Sequence, residues 1–240
     1  VGLRYFSKPL PAKVFWRIDS TSVPRDAISI SRGAGGINQR FLNLILFFEI
    51  LAKSVATIKA NPGIAIGHTR WATHGAPTIL NAHPHFNQDK SIFVVHNGII
   101  ENYAFIKNRL QKLGYKFISE TDTEVIPHLI ELNLKNSKSF AAAFEKTLQE
   151  LEGAYAIAVV TTKEPETLFA ARLSSPLILG VGKNEYILAS DPTAVMEHTK
   201  DVVYLDDYEM VVVNKNKYQI KDINRAKPVK RKAETLEFDL

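Results

Sequence analysis

The order of apolar and polar residues divides the middle and C-terminal parts of the chain into strands and helices. Short apolar runs predict strands at residues 64–69 and 92–96. Helical spacing of apolar residues predicts three helices, near residues 102–113, from about 121–123 onwards, and from a Ser139 cap to Gly153. Pro127 has no backbone N–H to donate, so it favours a late start for the second helix.

After Gly153 the period becomes that of β-strands. It predicts six strands, at residues 154–160, 167–172, 177–181, 186–189, 202–205 and 209–213. A pair of strands, a block of helices and a run of antiparallel strands indicate an α+β protein whose sheets are covered by helices. The N-terminal quarter is less regular, since residues 3–26 show no clear period and residues 41–58 resemble a helix that is apolar on several sides.

The sequence predicts neither a membrane-spanning helix nor a secretory signal peptide. The longest, residues 41–51, is interrupted by Asn43 and Glu49 and is shorter than the roughly 20 residues that a membrane-spanning helix needs. The N-terminus lacks the pattern of a signal peptide, and the chain contains no cysteine. We therefore expect a cytoplasmic protein without a membrane partner.

The charged residues are unevenly distributed along the chain. The 240 residues are 45% hydrophobic and 23% charged, as in ordinary globular proteins, with a net charge of +5. Between residues 214 and 232 there are eight basic residues against Asp222, so the rest of the chain is slightly acidic. We therefore expect no nucleic-acid partner, and we predict a domain over residues 1–213 followed by a basic linker at 214–240.

Five of the seven histidines fall within one short stretch, and they are His68, His74, His83, His85 and His96. One interpretation is a metal site, because two histidines separated by one residue on a strand point to the same side. The other is a set of strand-end and loop histidines with backbone partners. No cysteine is available and the nearby acids are only Asp89 and Glu101, so we expect no metal and no cofactor.

Two motifs each follow an apolar strand. In residues 69–75, Arg70 could hold a carboxylate through two parallel hydrogen bonds and Trp71 could exclude water, or the pair could be a surface arginine beside a core tryptophan. Asn97-Gly98 is a strong hairpin-turn signal. Alternatively, the Asn97 side-chain amide and the Gly98 N–H could form an oxyanion hole.

A third motif, residues 119–124, opens a helix. Thr121 and Glu124 fit a capping box, whereas Asp122 could instead hold a substrate ammonium group. Taken together, the three motifs offer an arginine for a carboxylate, an aspartate for an ammonium and a cradle for an oxyanion. That set suits an α-amino acid whose side-chain carbonyl is attacked by a nucleophile, which the motifs themselves do not supply.

The same residues resemble a known family. Four stretches closely resemble the glutaminase domain of glutamine–fructose-6-phosphate aminotransferases, also called glucosamine-6-phosphate synthases, which are class II glutamine amidotransferases. These stretches are residues 67–75, 81–85, 95–102 and 119–125, and the match continues in order through 151–156, 171–177 and 189–191. The resemblance covers residues 62–213 and leaves residues 1–60 poorly matched.

The resemblance implies a four-layer αββα sandwich, the N-terminal-nucleophile hydrolase fold, with glutamine as substrate. It further implies that released ammonia passes to a sugar-phosphate isomerase domain of the same longer chain, which converts fructose 6-phosphate into glucosamine 6-phosphate in hexosamine biosynthesis. A homo-oligomeric full-length protein is also implied.

Several residues receive roles through the resemblance. Arg70 would bind the glutamine carboxylate with Thr73 and His74, and Trp71 would lie on a mobile loop that closes the site. Asn97 and Gly98 would form the oxyanion hole. Gly98 and Asp122 would bind the α-amine.

The N-terminus departs from the family pattern. The family opens with Cys-Gly-Ile-Val-Gly, in which the cysteine is the nucleophile and its own α-amine is the base. This chain begins Val1-Gly2, which resembles that opening with its first residues missing. The family segment Arg-Gly-Tyr-Asp-Ser-Ala-Gly is also absent, with residues 25–30 as its remnant. The alternative is therefore a catalytically inactive module that binds glutamine or regulates a partner.

Overall fold

The computed structural model describes residues 14–19, 63–68, 78–196 and 198–236, with only the backbone described for 14–19. Within these residues the chain forms two antiparallel sheets and a set of helices, so the predicted α+β class is confirmed. The strands are β1 (Val14–Asp19), β2 (Ile64–His68), β3 (His85–Phe86), β4 (Ile92–Ile100), β5 (Gly153–Thr161), β6 (Thr167–Leu173), β7 (Ile178–Val181), β8 (Glu185–Ala189), β9 (Asp201–Tyr204), β10 (Glu209–Asn214), β11 (Lys217–Asp222), β12 (Lys227–Val229) and β13 (Glu234–Thr235).

The helices follow β4, as the sequence predicts. They are α1 (Tyr103–Lys112), α2 (Val125–Leu134), α3 (Phe140–Glu150) and a short 3-10 helix, Pro192–Ala194. Pro127 lies in the first turn of α2, where its missing N–H breaks no helical hydrogen bond. Ser139 caps α3, since its hydroxyl accepts the N–H of Ala142 at 3.2 Å. Within the described residues, none of these helices is long and apolar enough to cross a bilayer.

The strands form one seven-stranded and one six-stranded sheet. The first has the order β12-β11-β10-β6-β5-β4-β3, and the second has the order β13-β9-β7-β8-β1-β2. β4 and β5 are paired along their whole length, from Ile92 opposite Thr161 to Ile100 opposite Gly153. This long pairing fixes the register of β4, which carries the Asn97-Gly98 motif.

Alternation along β4 shows how the layers stack. Ile92 and Val94 are fully buried against residues of α1, α2 and α3, so one face of the seven-stranded sheet is covered by helices. Val95 points the other way and joins a second core with Leu179 and Leu188 of the six-stranded sheet. The order of layers is therefore helices, sheet, sheet. The helix predicted at residues 41–58 lies outside the described residues.

The segment after residue 214 differs from the predicted linker. β11 pairs with β10 in the seven-stranded sheet, and β13 pairs with β9 in the other. Ile220 of β11 is 3% exposed, and Tyr218 packs against the same core cluster. The polar residues Lys217, Gln219 and Lys221 alternate with them, so the composition of this segment looks like that of a linker. Arg231 forms hydrogen bonds with Glu209, so part of the basic charge is paired within the domain.

The N-terminal part also holds one element that the sequence does not reveal. β1 pairs with β8 on one side and β2 on the other, although residues 3–26 show no strand period. A strand with neighbours on both sides gains backbone hydrogen bonds whatever its side-chain pattern. The register places Val14 opposite His68, at the end of β2 that leads into residues 69–77.

Candidate functional site

β4 continues straight through Asn97 and Gly98. Asn97 lies opposite Ala156 and Gly98 opposite Tyr155, so the hairpin-turn interpretation is wrong. Gly98 has a φ of +123°, and a Cβ atom there would lie 2.0 Å from the carbonyl oxygen of Ala154. Only glycine fits this conformation and this close approach of β5. The glycine is therefore required by the strand pairing and not by a turn.

The Asn97 side chain is bound by the opposite sheet. His68 is the last residue of β2, and its Nε2 lies 2.8 Å from Asn97 Oδ1. Asn97 follows Val95 by two residues, which places both on the face of β4 that meets the six-stranded sheet. The hydrogen bond thus joins the two sheets at the point where the candidate oxyanion hole lies.

Asp122 reaches β4 from the helical side. It is 3% exposed, and its Oδ2 accepts the backbone N–H of Ile100 at 2.8 Å. Nδ1 of His96 lies 4.0 Å from the same oxygen. Among the described residues, both contacts use Oδ2, so Oδ1 is left for another donor. The fold therefore attaches Asp122 to β4 at Ile100, two residues beyond Gly98.

His96 lies next to Asp122 and is an uncharged imidazole. Burial lowers the pKa of His96, and the opposing effects of Asp122 and the Ala154 carbonyl do not overcome it. The hydroxyl of Thr123 lies 3.0 Å from its Nδ1. Because His96 is uncharged near neutral pH, no imidazolium competes with a bound ammonium group for Asp122.

The loop that carries Asp122 is held by a buried carboxylate. Glu124 is 2% exposed and accepts hydrogen bonds from the N–H groups of Ile118 and Ser119, at 2.9 and 2.7 Å, and from the Ser119 hydroxyl at 2.5 Å. Burial raises the pKa of Glu124, but His128, Ser119 and the backbone N–H groups outweigh it and hold the pKa at about 2. The predicted capping box is therefore wrong, because Glu124 closes on the residues before it.

The histidines cluster around two threonine hydroxyls. His83 Nε2 lies 3.2 Å from Thr123 Oγ1, and His85 Nε2 lies 3.0 Å from Thr121 Oγ1. The ring of His83 packs between those of His68 and His85, with centroids 4.2 and 4.9 Å apart. In the described ranges, no three of the histidines and acids converge as a metal site would require.

Four predicted site residues, Arg70, Trp71, Thr73 and His74, lie outside the described residues. The described residues on either side of residues 69–77 are attached to the site. His68 contacts Asn97, and downstream Asn81 donates to Glu120 Oε2 at 3.1 Å and accepts the N–H of Glu120 at 2.9 Å. A carboxylate-binding role for Arg70 stays a prediction, and these two anchors support it.

The sequence interpretation missed three contributors to this arrangement. His68 and His96 drew attention only as a possible metal cluster, and Thr123 only as part of a helix start. The sequence signal for the two histidines was their position, since His68 immediately precedes the motif that contains Arg70 and His96 immediately precedes Asn97. Their roles depend on contacts across 27 and 29 residues, which spacing alone does not reveal.

Comparison with known sequences identifies relatives over most of the chain. A family described as "Glutamine amidotransferase domain" matches residues 68–197. Glutamine–fructose-6-phosphate aminotransferase (isomerizing) of Thermococcus kodakarensis is 40% identical over 215 residues, 90% of this chain and 34% of that protein. The protein of the same name from Methanothermobacter thermautotrophicus is 54% identical over 154 residues, 64% of this chain and 26% of that protein. The chain spans between about a quarter and a third of the length of these relatives.

Solved structures support the fold. The glutamine phosphoribosylpyrophosphate amidotransferase from B. subtilis, complexed with ADP and GMP, superposes with a TM-score of 0.58 at 24% identity, over 89% of this chain and 43% of that chain. A structure described as the allosteric regulatory enzyme of purine biosynthesis gives a TM-score of 0.59 over the same shares, also at 24% identity. The N-terminal-nucleophile fold expected from the sequence is thereby confirmed.

Proposed function

The chain belongs to the glutamine amidotransferase family, and on that premise we propose that it binds glutamine and hydrolyses the side-chain amide to release ammonia. The observation that supports the proposal is the attachment of Asp122 at Ile100, two residues beyond Gly98 on the strand that also carries Asn97. An oxyanion cradle beside an acid for an ammonium group is what an attacked α-amino acid amide requires.

The spacing along β4 supports glutamine as the ligand. Asp122 is attached at Ile100, two residues beyond Gly98, which corresponds to roughly 6–7 Å along a strand. In extended glutamine, the ammonium nitrogen and the amide carbonyl carbon are separated by four bonds of about 1.5 Å each, or roughly 5 Å overall. The two groups could therefore be bound at the same time.

Each residue has a distinct role in the proposed site. The Asn97 amide N–H and the Gly98 backbone N–H stabilise the negative oxygen of the tetrahedral intermediate, which exists only after attack. Asp122 Oδ1, together with Gly98, accepts the α-ammonium group. Arg70 binds the carboxylate, assisted by Thr73 and His74, while Trp71 excludes water.

The proposed nucleophile is a cysteine preceding this sequence, since the 240 residues contain none. Its thiol proton moves to its own α-amine, and the sulfur adds to the amide carbonyl carbon to give the oxyanion. Collapse of this intermediate breaks the C–N bond, and the protonated amine supplies the proton that leaves with ammonia. Water then hydrolyses the thioester to glutamate.

The names of the relatives support a destination for the ammonia. We infer that this domain belongs to a longer, homo-oligomeric cytoplasmic protein, in which an isomerase domain uses the ammonia to convert fructose 6-phosphate into glucosamine 6-phosphate. Residues 214–236 are part of both sheets, so a linker to that domain would start beyond them.

A second candidate is a module that binds glutamine without hydrolysing it. It is favoured by the lack of any thiol in the 240 residues. The two candidates share the binding site and differ in turnover. A direct measurement of ammonia release separates them.

The decisive experiment restores the proposed opening. The chain is prepared with Cys-Gly-Ile before Val1 and the initiator methionine removed, and a matched form carries Ser-Gly-Ile. We expect ammonia release and labelling by a glutamine-like electrophile in the cysteine form only. Glutamine binding without turnover in both forms would favour the binding module. Absence of binding in both forms would overturn the assignment of the site.

The carboxylate role of Arg70 can be tested in the same protein. Arg70→Lys keeps the positive charge but removes the planar pair of N–H donors. We expect the KM for glutamine to rise at least tenfold with kcat less affected. An unchanged KM would show that another group binds the carboxylate.

A further inference from the structure

We propose that His68 is a positioning residue that sets the orientation of the Asn97 side-chain amide. The proposal rests on the function inferred for Asn97 as an oxyanion-hole donor. It goes further by assigning a specific task to a side chain from the opposite sheet, 29 residues away in sequence.

The task exists because an asparagine amide has two ends of similar shape. Only the Nδ2 end can donate a hydrogen bond to a developing oxyanion, whereas the Oδ1 end would repel it. The pairing of β4 with β5 fixes the backbone of Asn97, but backbone pairing does not select which end of the amide faces the site. A partner that recognises one end is therefore needed to hold the donor in place.

His68 is placed to recognise the oxygen end. Its Nε2 lies 2.8 Å from Asn97 Oδ1, and a carbonyl oxygen can only accept. Nε2 must therefore carry the hydrogen. If Nδ1 carried it instead, the bare Nε2 would attract the Asn97 NH₂ group and turn Oδ1 towards the site. The tautomer of His68 thus selects the orientation of the amide.

The ring of His68 is itself supported by the ammonium side of the site. It packs on His83 at 4.2 Å, and Nε2 of His83 lies 3.2 Å from Thr123 Oγ1. The same hydroxyl contacts His96 Nδ1, next to Asp122. A continuous set of contacts therefore runs from the residue beside Asp122 to the amide of Asn97, which gives the ring little freedom to tilt.

A kinetic experiment in the chain preceded by Cys-Gly-Ile tests this role. His68→Phe keeps a flat ring but removes the donor, and we expect kcat to fall about 10- to 100-fold while the KM for glutamine changes less than threefold. This loss is smaller than the 100- to 1,000-fold typical for removing an oxyanion donor outright. His68→Gln, which can donate an amide N–H, should recover part of kcat.

A double-mutant cycle distinguishes positioning from general damage. If His68 acts through Asn97, then His68→Phe should lower kcat no further in an Asn97→Ala background. An equal loss in both backgrounds would overturn the proposal. The control is His85→Phe, which removes a neighbouring buried imidazole whose Nε2 lies 3.0 Å from Thr121 Oγ1. Its kcat should stay within threefold, and a fall matching that of His68→Phe would also overturn the proposal.

A spectroscopic measurement decides the hydrogen bond independently of any activity. Imidazole ¹⁵N spectra of the unextended 240-residue chain, assigned by the loss of one signal set in His68→Phe, should show His68 protonated at Nε2. Protonation at Nδ1 alone would overturn the proposal even if the extended chain releases ammonia. If the extended chain is inactive, the glutaminase proposal fails while the tautomer still reports on His68.

Discussion

On the ammonium side of the proposed site, Glu124 closes the loop of residues 118–124 through short-range hydrogen bonds, whereas the oxyanion side, Asn97 and Gly98, depends on distant strands. Glu124 accepts hydrogen bonds from residues five and six positions before it. Asn97 is bound by His68 of the other sheet, and Gly98 is shaped by the close approach of Ala154. The hydrogen bonds to Glu124 form once the loop of residues 118–124 closes. The oxyanion side forms only when β4 is paired correctly and the two sheets are stacked.

The two sides should therefore respond differently to substitution. Changes on the oxyanion side should disturb strand pairing or the rate of reaction, and changes on the ammonium side should lower the stability of one loop and the affinity for ligand.

Gly98→Ala should be the most damaging change. A Cβ at this position would lie 2.0 Å from the Ala154 carbonyl oxygen and would force a side chain into a φ of +123°. Overpacking costs about 1–3 kcal/mol and an unfavourable backbone conformation costs about as much again, so we expect a loss of about 4 kcal/mol or failure to fold.

Gly114→Ala is the matched control for Gly98→Ala. Gly114 also has a positive φ, +91°, but nothing lies within 4 Å of its missing Cβ. The cost should therefore be about 1–2 kcal/mol, from backbone conformation alone. Urea denaturation of both variants measures the difference, and equal losses would show that strand pairing does not make Gly98 special.

Asn97→Ala should have the second largest effect, and it should fall on the reaction rate. In the chain preceded by Cys-Gly-Ile, loss of one oxyanion donor should lower kcat about 100- to 1,000-fold. Glutamine binding should be largely kept, because the oxyanion exists only after attack. Steady-state kinetics gives both constants, and a collapse of binding with kcat preserved would make Asn97 a structural residue.

Glu124→Gln tests the local network on the ammonium side. Because folding holds the Glu124 pKa at about 2, below its ordinary value of 4.5, the charged carboxylate stabilises the fold fully above about pH 4.5. That contribution is lost as the pH falls towards 2. Hydrogen bonds to a buried charge are worth about 1.5–3 kcal/mol, so we expect a loss of about 2 kcal/mol at pH 7.

The pH dependence of the Glu124→Gln effect provides its own control. The difference in the free energy of unfolding between the wild-type chain and Glu124→Gln should narrow from pH 5 to pH 2, because the wild-type carboxylate becomes protonated over that range. Urea denaturation across this range measures it. A difference that stays constant would mean that the charge of Glu124 does not contribute.

Thr123→Val should have the smallest effect. It keeps the shape of the side chain but removes the hydroxyl that contacts His83 and His96, at a cost of about 1 kcal/mol. Because His96 lies beside Asp122, the affinity for glutamate, the product of the proposed reaction, should also fall slightly. Thr121→Val, which removes a contact with His85, should lower stability similarly and leave affinity unchanged. Calorimetric titration with glutamate measures the affinity of both variants. Equal affinities would show that Thr123 does not contribute to ligand binding.

Much of the fold followed from local patterns. The helical spacing around Ile106 and Leu110, the Ser139 cap and the late start imposed by Pro127 were read correctly, because each depends on neighbours within one or two turns. The β11 strand was missed because its polar faces dominate its composition. β1 was missed because its partners, β2 and β8, are far away in sequence.

The candidate site divides in the same way. The chemical groups of the site were readable from the chain, because Asn97 and Gly98 follow an apolar run and Asp122 opens a helix, in motifs that suit an amino acid amide. Three further features became visible only in the folded protein: Asn97-Gly98 continues a strand, Glu124 binds the residues before it, and His68 contacts Asn97. These features depend on sheet register and on which groups share a buried space, and a linear pattern specifies neither.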